Sequence, residues 1–310
     1  MTNDEMQSKI RDVIETAGRV VLGKEKQVRL SLACLLARGH LLIEDLPGIG
    51  KTTLAHALAR LLGLEFQRVQ FTSDLLPGDV LGVSVFEQDT GSFAFHPGPV
   101  FSQVLLVDEI NRATPKTQSA LLESMEEGQV TIEGRTRPLP RPFFVMATQN
   151  PLEQAGTFPL PESQLDRFLM RISLGYPDRA SEKALLTGPD RREQAAELGP
   201  VLSAQEIMAI QARVVQVHAS DALVAYVQDL MQFSRRSGHF LNGLSPRAGL
   251  ALVHSAQAMA FMDTRDYLLP EDVQEVLPWV VSHRLVPAAG DTAFSGRGAT
   301  ELLLENVPVS

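Results

Sequence analysis

The stretch Leu41-Leu42-Ile43-Glu44-Asp45-Leu46-Pro47-Gly48-Ile49-Gly50-Lys51-Thr52-Thr53 decides the fold. Its first three residues are a short apolar run, which reads as a buried strand. Pro47, Gly48, Ile49 and Gly50 make a glycine-rich loop. From Thr52 onward apolar residues return at helical spacing, at Leu54, Leu58, Leu61 and Leu62, and the run stops at Gly63. Strand, glycine loop and helix, in that order, are what a phosphate-binding loop requires. Glycines let the backbone approach phosphate oxygens, and the helix N-terminus adds partial positive charge. Lys51 then belongs on the β- and γ-phosphates of a nucleotide, and the Thr52 hydroxyl on Mg²⁺. The strict motif has glycine at position 45. Here stands Asp45, which tolerates left-handed backbone better than most residues.

Working outward, the pattern repeats. Phe66 to Phe71, Val104 to Val107, Phe143 to Thr148 and Leu169 to Ser173 are short and largely apolar. Helical stretches separate several of them, notably Thr117 to Glu127. Apolar strands alternating with helices predict an α/β fold with a parallel sheet covered on both faces. Two hairpins interrupt the alternation. Val83–Phe86 and Phe93–Phe95 flank Gln88-Asp89-Thr90-Gly91, and Gln129–Ile132 and Arg135–Arg137 flank Glu133-Gly134. The first 40 residues read as helix. After Gly175-Tyr176-Pro177 the strand signals fade. Ala180–Leu186, Ala204–Val217, Asp221–Arg236, Pro246–Met262 and Pro270–His283 read as helices. The expected division is therefore an α/β domain over 1–175 and a smaller all-α domain over 176–310. The tail after Pro287 is rich in Gly, Ala and Thr, apart from Leu302-Leu303-Leu304.

Composition narrows the chemistry. The chain has 310 residues and a formal charge of −9, which argues against broad nucleic-acid binding. No apolar run approaches the ~18–20 residues of a membrane span. The opening Met1-Thr2-Asn3-Asp4-Glu5 lacks a secretory signal's basic and apolar regions, so a cytoplasmic protein is expected. One cysteine, Cys34, cannot form an internal disulfide and reads as a buried small hydrophobe. Seven histidines without a His-Glu-x-x-His pattern give no transition-metal site.

Further candidates stand at strand ends, where open α/β sheets bind ligands. Asp108 and Glu109 close the run Val104–Val107. Asp108 suits Mg²⁺ through its water shell, and Glu109 suits polarising a water. Asn150, in Ala147-Thr148-Gln149-Asn150-Pro151, suits orienting that water against a γ-phosphate, although Asn-Pro by itself reads as a turn. Arg167 precedes the last strand. Arg247 lies in the first turn of a helix capped by Ser245 and opened by Pro246. An arginine aimed at the γ-phosphate stabilises transition-state charge. Glu123, Glu126 and Glu127 read as a solvated acidic face, or else as carboxylates set opposite a neighbour's arginines. Arg112 and Lys116 fit either such an interface or plain surface.

Taken together, Pro-Gly-Ile-Gly-Lys-Thr at 47–52, Val-Asp-Glu-Ile-Asn-Arg-Ala at 107–113, Glu-Gly-Gln-Val-Thr at 127–131, Ala-Thr-Gln-Asn-Pro at 147–151, Gln-Leu-Asp-Arg-Phe at 164–168 and Ser-Pro-Arg-Ala at 245–248 resemble the MoxR family of AAA+ ATPases. The resemblance runs from about residue 9 to near the C-terminus, and position 45 varies within the family. It implies a P-loop αβα core with a helical lid, assembled as a homo-oligomeric ring, usually a hexamer. It implies ATP hydrolysis with ATP and Mg²⁺ between subunits. Pro47 to Thr53 and Asp108 would bind ATP, with Thr52 and Asp108 towards Mg²⁺. Glu109 would be the catalytic base and Asn150 the sensor 1 residue. Arg167 would be the finger given to the neighbour, and Arg247 the sensor 2 arginine, acting in cis or in trans. The hairpins resemble the helix-2 insert and the insert before sensor 1. The expected role is chaperone-like remodelling, maturation or metallocofactor insertion of a client complex, beside a separate von Willebrand factor A domain protein. Two other readings remain: a nucleic-acid-stimulated motor, for which Arg135, Arg137 and Arg141 would form the grip, and a magnesium-chelatase-like motor subunit. An ATP-gated scaffold fits less well, because Glu109 is present.

Overall fold

Five short runs lie side by side in one sheet, and the three central ones offer largely apolar, buried side chains to two helical layers. The protein is described from a computed structural model over residues 1–89, 91–151, 156–288 and 298–309. In chain order the elements begin with α1 (Asn3–Val20), α2 (Glu25–Leu36), β1 (Leu41–Glu44), α3 (Lys51–Leu61) and β2 (Phe66–Gln70). Then come α4 (Pro77–Leu81), the hairpin β3 (Gly82–Glu87) and β4 (Ser92–Pro97), β5 (Val104–Asp108) and α5 (Pro115–Glu127). A second hairpin, β6 (Gln129–Ile132) and β7 (Arg135–Pro138), leads to β8 (Phe144–Gln149), α6 (Glu162–Leu165) and β9 (Met170–Ile172). The rest is helical: α7 (Arg179–Thr187), α8 (Arg191–Glu197), α9 (Ala204–Val214), α10 (Asp221–Arg236), α11 (Pro246–Met262), α12 (Pro270–Val281) and α13 (Ala299–Asn306). The expected loop residue Thr90 and the part of the tail at 289–297 lie outside the described residues.

The sheet order is β2-β5-β8-β1-β9 and every pairing in it is parallel. In register, Leu42 faces Ala147 on one side and Arg171 on the other. Alternate residues leave opposite faces. Leu41, Ile43, Leu106 and Met146 join one buried cluster, while Leu42, Leu105, Val107 and Val145 join another. The first cluster also takes in α1, α2, α3 and the buried faces of α9 to α13, so the C-terminal helices share its core. The second cluster is closed by Val80 of α4 and by Leu121, Leu122 and Met125 of α5.

β2 departs from the apolar expectation. It is an edge strand, and Gln67, Arg68 and Gln70 are exposed along it. Polar side chains on an edge are tolerated because only one face is buried there, and they discourage strand addition. The short helices α4, α6 and α8 carried no periodicity long enough to read from sequence. The tail's leucines do find a place, with Leu302 and Leu303 buried on α13. Cys34 is fully buried, and burial pushes its thiol up. Among the described residues no helix is long and apolar enough to cross a membrane.

Candidate active site

β1 has β8 on one side and β9 on the other, so the loop leaving its carboxyl end opens where the chain connectivity reverses. Gly48 and Gly50 adopt φ of +83° and +95°, a region that L side chains avoid. No atom lies within 4 Å of a Cβ placed on either, so torsion, not space, requires glycine there. Gly50 caps α3, whose first residue is Lys51. The Lys51 ammonium donates to the carbonyls of Asp45 at 2.8 Å and Leu46 at 3.1 Å. Burial lowers its affinity for the proton, while the carboxylates of Asp45, Asp108 and Glu109 raise it again.

Asp45 does not sit in the left-handed region, contrary to the reason first given for it. Its carboxylate is the feature that matters. Oδ2 accepts from Ser173 Oγ at 2.9 Å and from the main-chain N–H groups of Leu174 at 2.6 Å and Gly175 at 2.7 Å. The residue standing where the motif has glycine ties the phosphate loop to the segment that leaves the sheet.

The two carboxylates ending β5 are held differently. Asp108 is buried, with Oδ2 2.6 Å from Arg68 Nε and Oδ1 accepting from Thr148 Oγ1 at 3.2 Å. Glu109 has φ 56° and ψ 51°, a left-handed conformation that costs a non-glycine residue about 1–2 kcal/mol. Its N–H donates to the same Thr148 hydroxyl at 3.0 Å, which helps to hold the strained turn. Its Oε2 accepts from Gln70 Nε2 at 2.6 Å and lies 3.0 Å from Arg112 Nε. Arg112 thus pairs with Glu109 while its side chain stays partly exposed.

These groups line one cavity of about 820 Å³. Its polar part comprises Pro47 to Thr53, Arg68, Gln70, Asp108, Glu109 and Thr148. The remainder is walled by Val20, Val21 and Leu22 after α1, by Tyr176, Pro177 and Leu185, and by residues 188–192. Lys24 closes that wall by donating from Nζ to the Tyr176 carbonyl at 2.8 Å. A polar pocket continued by a slot that sets Val20, Val21, Leu22, Pro177 and Leu185 beside the charged Lys24, Asp190, Arg191 and Arg192 suits a nucleotide, with phosphates on the loop and a base beyond. Thr148, Arg68, Gln70 and the apolar wall were not singled out from sequence. Each becomes visible only once separate segments meet.

Three expected residues lie outside this cavity's lining. Asn150 directly follows β8, and Thr148, two residues earlier, is the β8 residue that lines the cavity beside the carboxylates. Arg167 and Arg247 meet elsewhere, on Glu126 of α5. Arg167 Nη2 lies 3.1 Å from Glu126 Oε2, and Arg247 Nη2 pairs with Oε1. Glu126 is thus no plain solvated carboxylate but the shared partner of two arginines.

The two hairpins also touch. The Arg137 guanidinium lies 3.9 Å from the centre of the Phe95 ring, and Ser84 Oγ donates to Glu133 Oε2 at 2.7 Å. Phe86 and Phe93 pack edge to face on the exposed side of the first hairpin.

A family model for ATPases associated with various cellular activities matches residues 40–170, and a model of the AAA lid domain matches residues 233–302. The uncharacterized protein YeaC of Bacillus subtilis is 46% identical over 273 residues, covering 88% of this chain and 85% of that protein. Chaperone MoxR1 of Mycobacterium tuberculosis is 43% identical over 281 residues, covering 86% of this chain and 73% of the relative. The crystal structure of a proposed ATPase from Cytophaga hutchinsonii superposes with a TM-score of 0.90 at 38% identity, covering 99% of this chain and 97% of that one.

Proposed function

This chain belongs to the MoxR family of AAA+ ATPases, and on that premise we propose that it hydrolyses ATP as a ring of identical subunits, a hexamer, to remodel a client complex. One observation carries the reading. Lys51, Asp108 and Glu109 share a cavity, while Arg167 and Arg247 gather on Glu126 and do not line it. Carboxylates in one place and arginines in another fit a site completed by a second subunit, since an arginine finger can be supplied in trans.

In this reading the main-chain N–H groups of Gly48 to Thr53 and the Lys51 ammonium bind the β- and γ-phosphates. Thr52 and Asp108 supply oxygen donors, a hydroxyl and a carboxylate, which fit Mg²⁺ held by one or two protein oxygens plus substrate phosphates. Among the described residues there is no group of three His, Cys, Asp or Glu side chains fit to cage a metal by themselves, which agrees with that mode. Bound there, Mg²⁺ neutralises charge developing on the phosphate oxygens. Glu109 takes the proton of the attacking water once Gln70 and Arg112 yield its carboxylate. Asn150 orients that water. The neighbour's Arg167 and Arg247 stabilise the γ-phosphoryl group. The adenine rests against Val20, Val21, Leu22 and Pro177. The domain division near residue 175 separates the part that holds phosphates from the part that carries Arg247.

We assign a chaperone role in complex maturation or metallocofactor insertion, with a separate von Willebrand factor A domain protein, in the ATP-holding cytoplasm. The test is a Glu109→Gln trap. It keeps ATP affinity and loses turnover by at least about a hundredfold. It also captures a client in the presence of MgATP. Unchanged turnover removes Glu109 from its role, and a monomer at every concentration with MgATP sinks the ring.

A further inference from the structure

Arg167 is held not only from the front, by Glu126, but from behind, by its own backbone. It lies in the turn between α6 and β9, next to Asp166. The Asp166 carboxylate accepts from Arg284 Nε at 2.7 Å through Oδ1 and from Ser245 Oγ at 3.2 Å through Oδ2. The same Arg284 guanidinium continues into the turn. Nη2 donates to the carbonyls of Phe168 at 2.7 Å and Asp166 at 3.2 Å, and Nη1 to those of Leu169 at 3.1 Å and Val280. His283 adds a bond from Nε2 to the Phe168 carbonyl at 3.0 Å. One buried cation thus grips three carbonyls of residues 166–169 and the carboxylate among them.

The exposures differ accordingly. The Arg284 side chain is 5% accessible, whereas those of Arg167 and Arg247 are 28% and 45%. Two arginines face outward and a third, from the turn that follows α12, stands behind them. Ser245, the second partner of Asp166, is also the cap of α11, whose first turn bears Arg247. Asp166 therefore joins the Arg167 turn to the ends of both α11 and α12. A guanidinium suits this task because its planar fork of five donors fixes direction as well as charge. Burying a charged pair adds little stability compared with apolar packing, and in this turn the pair and its carbonyl partners set direction.

We infer that Arg284 is a positioning residue for hydrolysis in the next subunit. It locks the Arg167 turn to the lid, so that Arg167 and Arg247 reach the neighbour's nucleotide at a fixed spacing, and displacement of α12 moves both. This rests on the reading that Arg167 acts in trans.

The test uses the full chain and mixed rings. Arg284→Lys keeps a cation opposite Asp166 but cannot reach three carbonyls at once. Expected are unchanged ADP affinity and KM, with kcat reduced by about tenfold or more, since an error near 1 Å in a catalytic group costs up to about a hundredfold. Mixing with Glu109→Gln subunits, which donate their arginines normally, restores turnover to the Arg284→Lys sites. Asp166→Asn, which cuts the same link from its other end, carries the same reading if Arg284→Lys does not fold. An unchanged kcat overturns the proposal. So does a loss that mixing does not rescue while Arg167→Ala is rescued in parallel. If Arg167→Ala itself is not rescued, donation in trans fails, and the role of Arg284 falls with it.

Discussion

Arg68 Nε lies 2.6 Å from Asp108 Oδ2. The carboxylate proposed for Mg²⁺ therefore pairs with a cation from the edge strand, and Mg²⁺ must compete with it. Half of the Arg68 side chain is exposed, so the pair contributes at most about 1 kcal/mol. Arg68→Ala should lower the Mg²⁺ concentration needed for half-maximal nucleotide binding by up to about fivefold. Titration of Mg²⁺ against a fluorescent ADP reads this directly. A higher Mg²⁺ requirement would mean that Arg68 serves the nucleotide and not the carboxylate.

Arg247 and Arg167 share Glu126, and loss of either should fall on turnover. Arg167→Ala is expected to cut turnover by about a thousandfold, as loss of an arginine finger does. Arg247→Ala should cut it by at least about tenfold. Neither should weaken nucleotide binding to its own subunit, and both should regain hydrolysis when mixed with Glu109→Gln. An Arg247→Ala protein that binds ATP poorly and gains nothing from mixing would put Arg247 in cis.

Asp45 accepts three hydrogen bonds from residues 173–175, two of them from the main chain. Asp45→Gly restores the generic motif, yet it should destabilise the protein by about 1–3 kcal/mol, because main-chain donors lose their acceptor. Urea unfolding measures the loss. A change smaller than about 0.5 kcal/mol would show that water replaces the carboxylate without cost.

His40 is fully buried, with Nδ1 accepting from the Val145 N–H and Nε2 facing the Met125 carbonyl. Burial holds its pKa down at about 4 against an ordinary 6.5. Between those values the unfolded chain binds more protons than the folded one, so stability falls as pH drops through that window. From pH about 7.5 to about 5 this single group should cost about 2 kcal/mol. His40→Gln should lose correspondingly less over the same interval in urea titrations. Equal losses in both proteins would acquit His40 and leave His283, whose pKa burial also lowers, as the sensitive group.

Much of this was legible because it is local. Leu41 to Thr53 encode strand, loop and helix within a few residues, and both hairpins announce their turns. The apolar runs and helical periods located nearly every long element. The rest depends on distance. Nothing near Thr148 indicates that its hydroxyl will bridge Asp108 and the Glu109 N–H, because β5 and β8 become neighbours only in the sheet. Val20 and Tyr176 form one wall although most of a domain separates them in sequence. Asp45 looked like a tolerated departure because its partners, Ser173 to Gly175, lie at the other end of the core. Glu126 looked like a surface acid because its two partners come from separate segments.

The contact between the hairpins has a mechanical consequence. A cation–π contact and one exposed hydrogen bond together contribute about 1–2 kcal/mol, a roughly five- to thirtyfold preference for travelling together. The two arms then behave as one lever, with a slip clutch between them. Modest loads at the exposed Phe86 and Phe93 are shared with the second arm and, through Gly128, with α5, whose last turn carries Glu126. The first arm and the last turn of α5 are in this way joined by a link of limited strength.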